Sequence, residues 1–462
     1  MFRGPNVMRR VWQGRQPVAP AAQRRAAGYF SVSAICLALV PGFARAAGLN
    51  IDDTDGLNTT TVAKREQDVD WQSSVRYGAQ TVAGHNRNFA EPDPIRAGNY
   101  FVASDIGTAV VFDDNIFATD ADKRADIRTE VTPRIRLDSQ FARHALDFSL
   151  DGKIVNYVEN PDQDYANIRG RASGALHFNA ANTLSASVLS SLSHEERNSP
   201  IIPESAREPV QIIRNKAAIG ITHDAGRLYG TLSASAESFD FHDAVSVSGQ
   251  PLDLDPRDTQ IYSTQLRAGY RFSPGYEIIT KVRGLKTVNQ GNGSIDNDAL
   301  GFEALAGLAF ESDPLLKWRI LGGFGVQDYV TAGRQSLITS LYEGQVQWLP
   351  TQLLTIYGTL SRSLQEAGGL DGSGLLQTEL DVRADYEIYH NLLLHAGISV
   401  REDDPIVANT TELNYNGHLG LDYYLNKNWL FTFEYDHDVR VSDSDSRDLN
   451  RNRFTFGAKL RF

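Results

Sequence analysis

The chain has 462 residues, of which 41% are hydrophobic and 22% charged, with 38 glycines, 18 tyrosines and a formal net charge of −12. Mean hydropathy is −0.33. Beyond the N-terminal stretch there is no uninterrupted apolar run of the ~20 residues that a membrane helix needs, which excludes a helical membrane protein. The aromatic content of 10% argues against a disordered chain. The negative charge argues against nucleic acid as the partner, because a phosphate-binding face should be basic.

Residues 1–46 hold seven basic residues (Arg3, Arg9, Arg10, Arg15, Arg24, Arg25, Arg45) and no acid. An apolar stretch at 29–40, a Pro41-Gly42 break and Ala44-Arg45-Ala46 follow in that order. Basic region, short apolar region and small-residue cleavage site predict a removable secretory signal peptide. Without it, 38 basic residues face 57 acidic ones, a net −19. The single cysteine, Cys36, leaves with the leader, so no disulfide, thiolate metal site or cysteine nucleophile is expected. Residues 47–98 begin acidic (Asp52, Asp53, Asp55) and end in the linker-like Ala90-Glu-Pro-Asp-Pro94. They are expected to form a periplasmic tail or a segment that plugs a lumen.

From about residue 99 the dominant signal is a period of two, the mark of strands with two different faces. In 127–138, Ile127, Thr129, Val131, Pro133, Ile135 and Leu137 alternate with Arg128, Glu130, Thr132, Arg134, Arg136 and Asp138. In 262–272, Tyr262, Leu266, Tyr270 and Phe272 alternate with Ser263, Gln265, Arg267 and Arg271. Short connections are expected near 139–143, 179–182, 224–226, 273–275, 312–315, 350–352, 389–391 and 426–428. Longer polar loops lie between them. Nine hairpins, hence about 18 strands, account for the spacing.

A soluble propeller or sandwich and a transmembrane barrel both produce such alternation. Three features favour an all-β, up-and-down antiparallel outer-membrane barrel over 99–462, with short periplasmic turns and longer outer loops. The polar faces are densely charged. Short and long connections alternate. Trp318, Trp348, Trp429, Phe178, Phe272, Tyr276 and Phe310 sit beside short turns, where an interfacial girdle belongs. Thr455, Gly457, Leu460 and Phe462 match the terminal-strand pattern read by the outer-membrane assembly machinery.

The candidate functional residues are the inward charges: Arg128, Glu130, Arg134, Arg136, Asp147, Asp151, Arg169, Arg171, Arg214, Lys216, Arg267, Arg271, Lys281 and Arg283. Lys153, Glu303, Lys317, Arg319, Glu343, Asp381, Arg383 and Asp385 share their phase. Such rings can hold a hydrated pore open and set its selectivity. Equally, they can pair across strands for roughly 0.2–1 kcal/mol each in a closed lumen. Arg134, Arg136, Arg169 and Arg171 are locally basic and could draw in an acidic sugar chain. Asp240-Phe241-His242-Asp243 and Asp436-His437-Asp438 place acids beside a histidine, which can orient a general base. No further motif surrounds them, and no enzyme is predicted. The acidic groups Asp253, Asp255, Asp258 and Asp443, Asp445, Asp448 fit no known calcium loop, so neither metal nor cofactor is predicted.

The stretch Val110-Val-Phe-Asp-Asp-Asn-Ile-Phe-Ala-Thr119 resembles the family called putative β-barrel porin 2. So do Arg143-His-Ala-Leu-Asp-Phe-Ser-Leu150, Ser273-Pro-Gly-Tyr-Glu277 and Pro350-Thr-Gln-Leu-Leu354. The resemblance covers about 100–462. It implies a porin-like channel in the outer membrane of a Gram-negative bacterium, and some relatives are associated with surface-polysaccharide export. The implied partners are outer-membrane lipid and lipopolysaccharide, the assembly machinery and periplasmic polysaccharide-export proteins. The competing expectation is a non-conducting barrel with a blocked lumen, whose loops meet lipopolysaccharide or a partner.

Overall fold

A computed structural model describes residues 81–462, apart from 86, 88, 91, 94, 196, 198–205, 291–297, 312–314, 331–335, 366–373, 407–410 and 444–446. The predicted leader and most of the segment 47–98 lie outside the described residues. Eighteen long strands follow in order: β1 (Tyr100–Asp113), β2 (Asp126–Ser139), β3 (His144–Tyr157), β4 (Tyr165–His177), β5 (Asn182–His194), β6 (Gln211–Asp224), β7 (Leu228–Phe241), β8 (Thr259–Ser273) and β9 (Tyr276–Asn289). The second half comprises β10 (Ala299–Phe310), β11 (Leu316–Tyr329), β12 (Leu337–Thr351), β13 (Leu354–Gln365), β14 (Leu375–Tyr389), β15 (Leu392–Pro405), β16 (Glu412–Tyr424), β17 (Trp429–Ser442) and β18 (Leu449–Arg461). Each pairs antiparallel with the next. The ring closes where β1 pairs with β18, from Asp105 opposite Arg461 to Asp113 opposite Arg453. Closure leaves no unpaired sheet edge.

The alternation fixes which side each residue takes. On β2, Ile127 and Ile135 are exposed on the outside, whereas Arg128 is buried on the inside. The same division holds around the ring: Leu266, Ile278, Ile320, Ile398 and Phe456 are exposed outward-facing apolar residues. Such a continuous apolar exterior is an aggregation surface in water and the matching surface in hydrocarbon. Charged outward residues, such as Asp240, Lys286, Asp328, Glu402 and Asp404, lie near strand ends. Pro133 lacks a donor, and the β2–β3 ladder is interrupted there, between Val131–Ile154 and Arg134–Asp151. Gly152 faces the proline ring, at 3.0 Å from an ideal Cβ.

Aromatic residues ring the short-turn end. Phe272 meets Tyr276 at 5.9 Å, Tyr276 meets Phe310 at 4.9 Å, and Phe310 stacks on Trp318 at 5.7 Å between ring centres. A second set sits nearer the long loops, where Phe302 faces Phe324 and Phe112 faces Phe454, both at 6.4 Å. The sequence reading placed the girdle only beside short turns.

The wall folds into a corner at β10–β11. A Cβ at Gly307 would lie 1.8 Å from the Ile320 carbonyl oxygen, and one at Gly323 would lie 1.8 Å from that of Ala304. Only glycine permits this approach. The corner brings together Ile279, Leu305, Leu321 and Leu341, four inward-facing apolar residues that bury one another. It also lets Lys281 on β9 reach Glu343 on β12 at 2.8 Å, over two intervening strands.

Candidate functional site: the inner wall and its two ends

The inward charges form ladders. Arg128 donates to Glu130 (2.8 Å) and Asp113 (3.3 Å), and Lys153 reaches Glu130 from β3 at 3.1 Å. Asp151 accepts from Arg134 at 2.7 Å and lies 3.7 Å from Arg169. Glu237 takes both Arg214 (2.7 Å) and Lys216 (3.5 Å). Arg271 pairs with Asp224 at 2.9 Å, and Arg283 approaches Glu303 at 3.9 Å. Arg136, by contrast, is exposed toward the interior. Asp147 opposes Asp138, Arg171 opposes Ser149, and Arg267 opposes Lys281 in register. All fourteen sequence-derived candidates thus stand on the inner wall. The basic group of Arg134 and Arg169 is partly neutralised by the shared Asp151.

The strand pattern continues through β14–β18, where His395, His418, Asp422, Arg451 and Arg453, not singled out from the sequence, join Asp385, Asp436 and Asp438, which were. His395 on β15 is held between Asp385 on β14 (Nδ1, 2.9 Å) and Asp422 on β16 (Nε2, 3.4 Å). His418 meets Asp436 at 2.9 Å. Asp438 accepts from Arg451 at 2.9 Å and lies 3.2 Å from Arg453. The signal for these was the same period of two, followed through β14–β18.

The motif around Asn115 works at the closing seam. Asn115 is fully buried; its amide donates to the Thr119 and Asn450 carbonyl oxygens at 2.6 and 3.2 Å. Asp114 accepts from the backbone and side chain of Asn452, each at 2.7 Å. Asp113 accepts from Arg128 of β2 at 3.3 Å and stands 4.0 Å from Arg451 of β18. Adjacent carboxylates and an amide therefore tie both neighbours of β1 together, and a motif of this composition is explained by ring closure. At the other end of the seam, Phe462 donates its N–H to the Ser104 carbonyl at 2.8 Å. Gly457 leaves room for the Thr432 hydroxyl, 2.3 Å from an ideal Cβ, and Leu460 pairs opposite Ile106 and Trp429.

At the long-loop end, connections fold onto the inner wall instead of standing clear of it. Ala206, Val210 and Leu254 from two loops pack on Ile212, Phe239, Phe241, Ile261 and Leu285, which face inward on β6–β9. Arg257 makes a two-bond pair with Glu195 (2.6 and 3.0 Å) and lies 3.9 Å over the Phe241 ring. Both partners are essentially buried, at 2% and 1% exposure. Arg197 donates to Gln163 of the β3–β4 loop and to the Ala206 and Arg207 carbonyls of its own β5–β6 loop, joining the two. Burial pushes its guanidinium down to about 10, well above neutrality, so it stays charged.

At the short-turn end, the chain preceding β1 lies against the wall. Val82 is fully buried and donates to Thr355 Oγ1 at 2.9 Å. Glu387 accepts from Arg87 and contacts His85, both at 2.7 Å, and Phe89 faces His390 at 5.1 Å. Asp93 then meets Lys427 at 2.8 Å. Val82, His85, Arg87 and Phe89, within the stretch expected to be a periplasmic tail or plug, therefore pack on the wall.

The histidine–acid groups do not assemble further. His242 stands 4.0 Å from Asp240, and His437 faces outward to Asn452 while Asp436 and Asp438 face inward. Asp243, Asp253 and Asp255 do approach one another within 4.8 Å. However, Asp243 and Asp253 accept backbone N–H groups of Leu254 and Asp255 at 3.1 Å, and Asp258 accepts from Phe241. Asp443 and Asp448 likewise accept from Thr411 and Ser442, and Asp445 lies outside the described residues.

Several solved outer-membrane proteins are similar in fold. OpdK of Pseudomonas aeruginosa, solved with vanillate, aligns at TM-score 0.41 and 11% identity, over 78% of this chain and 99% of that one. The siderophore receptor PiuA of Acinetobacter baumannii aligns at 0.43 and 9%, over 80% and 82%. The copper transporter OprC aligns at 0.42 and 13%, over 77% and 64%. No curated protein sequence matches. The closed eighteen-strand ring agrees with a sequence model that spans residues 90–462, by which the chain belongs to the family described as putative beta-barrel porin 2.

Proposed function

We propose that the protein is a porin-like outer-membrane channel passing hydrophilic solutes, with its short turns and N-terminus on the periplasmic side. The observation that carries this reading is the opposition of its two faces: lipid-matched residues outside and a charged, ion-paired wall inside one closed ring of eighteen strands. Rings of 16–18 strands are wide enough to leave an aqueous lumen. Among the described residues, the inward loops and the docked segment 81–93 narrow that lumen at its two ends. Short periplasmic turns are the rule for such barrels, which supports this orientation.

The narrower reading is passage of a surface polysaccharide. Hydroxyl-lined inner faces support it: Thr183, Ser185, Ser187, Ser191 and Ser193 on β5, with Thr231, Ser233 and Ser235 on β7. Liposome swelling with neutral sugars of increasing size tests the channel reading. Swelling should be rapid for a monosaccharide and fall with size. Rates equal to those of protein-free liposomes for every sugar would overturn it.

A further inference from the structure

Following the register around the ring separates fourteen of the strands into two arcs, while the inward positions of the other four, β18 and β1–β3, are nearly balanced at eight basic side chains against seven acidic ones. The inward positions of β4–β11 hold ten basic side chains against four acidic ones, a surplus of six positive charges. Those of β12–β17 hold eleven acidic side chains against three lysines and arginines, a surplus of eight negative charges before the two inward histidines, His395 and His418, are counted. In a closed ring of eighteen, strands nine apart face each other, so β6–β8 look across at β15–β17. The mid-strand charges on facing strands are Arg267 on β8 and Asp436 on β17, with Lys281 on the adjacent β9 and Asp381 on β14 in the same two arcs.

Local pairing does not erase this division. Glu237 and Glu343 each answer basic groups of the first arc, yet that arc keeps its surplus. On the second arc the histidines sit between carboxylates: His395 bridges Asp385 and Asp422, and His418 binds Asp436. These carboxylates are held by short bonds to the wall, so their positions are fixed. Field within a pore depends on the lining charges and their placement, and low-dielectric walls concentrate it.

We propose that the lumen is electrically two-sided and selects solutes that carry separated positive and negative groups, with zwitterionic amino-acid-like or peptide-like molecules as the substrate class. This rests on the channel reading above. An ion of one sign gains at one wall what it loses at the other. A solute with both charges turns across the lumen and gains at both. Net ion selectivity is therefore weak, while zwitterions pass preferentially.

Proteoliposome swelling with glycylglycine and with arabinose, which are similar in size, tests this. Glycylglycine should enter faster by on the order of tenfold, and the advantage should shrink as salt shortens the screening length. Asp381→Asn with Asp436→Asn should remove the advantage and move the reversal potential in a salt gradient toward anions. Arg267→Gln with Lys281→Gln should remove it and move the potential toward cations. Single cysteines at Ser233 and Ser399, modified after assembly with charged thiol reagents, avoid any folding defect of those variants. A positive group at Ser399, or a negative one at Ser233, should each abolish the advantage; the opposite signs should preserve it. Equal entry of both solutes into swelling liposomes, or the same response to either sign, overturns the two-sided lumen. If neither solute enters, it is the channel reading that fails.

Discussion

Removing the Glu195 carboxylate should release the loop packet from the inner wall. Glu195→Ala leaves Arg257 buried at 2% exposure with its two bonds of 2.6 and 3.0 Å unmade, over the Phe241 ring. Breaking one side of a buried pair costs about 3–5 kcal/mol. The Arg197 bonds and the apolar packing of Ala206, Val210 and Leu254 are the other ties that hold the loops there. Val210 and Leu254 contribute roughly 1.5–3 kcal/mol each by burial, and ordering the loop backbone opposes them at about 1–2 kcal/mol per residue. The cost therefore falls on local opening, with the barrel itself intact. Each 1.4 kcal/mol is tenfold, so opening should rise by about two to three and a half orders of magnitude. Hydrogen exchange reads it directly, at the Arg257 and Asp258 amides that now donate to Leu254 and Asp255. The paired replacement Glu195→Leu with Arg257→Met should keep most of the protection, because an apolar pair carries no stranded charge. Wild-type protection in Glu195→Ala would refute the argument that this ion pair holds the packet.

Three other outcomes follow from the same geometry. A cysteine at Arg136 should react quickly with a small charged thiol reagent and one at Ile135 should not, with Arg128 slow because Asp113, Glu130 and Tyr157 cover it; mass spectrometry of labelled protein checks this, and equal labelling at 135 and 136 contradicts the register. Gly323→Val should lower the yield of heat-modifiable folded barrel, because its Cβ meets the Ala304 carbonyl oxygen at 1.8 Å, whereas Gly322→Val, with nothing within 4 Å, should not; overpacking of this kind costs about 1–3 kcal/mol or more. Deleting Phe462 removes its two backbone bonds to Ser104 and should reduce the folded fraction in the outer membrane while leaving the conductance of surviving channels unchanged; a normal folded yield counts against its role in assembly.

Much of the barrel was legible because a strand with two solvents writes its faces into alternate residues. Ile127–Arg128 and Tyr270–Arg271 state their sides without any neighbour, and the turn at 273–275 declares itself by Pro274-Gly275. The loop packet was not legible. Nothing in the sequence sets Leu254 apart from Val245, Val247 and Leu252 of the same loop, and Glu195 and Arg257 are 62 positions apart, so only the fold brings them together. The glycines of the corner were equally silent: Gly307 and Gly323 resemble any strand glycine until their neighbours' carbonyl oxygens are placed. The Asn115 motif was visible as a resemblance, but its physical reason, the β1–β18 seam, needed Asn450 and Asn452 beside it. The acidic arc lay within reach of the same alternation that found the arginines. It becomes apparent only when strands are set in ring order, because charge separation across a lumen is a property of the closed ring and not of any one strand.

The central claim, a conducting outer-membrane channel, is tested most directly by reconstituting the purified, folded protein in a planar lipid bilayer and recording single-channel current in potassium chloride. The account predicts discrete, long-lived open steps with weak preference between potassium and chloride. A folded barrel that inserts, as judged by heat modifiability and protease protection, yet gives no current steps at any applied voltage would contradict it.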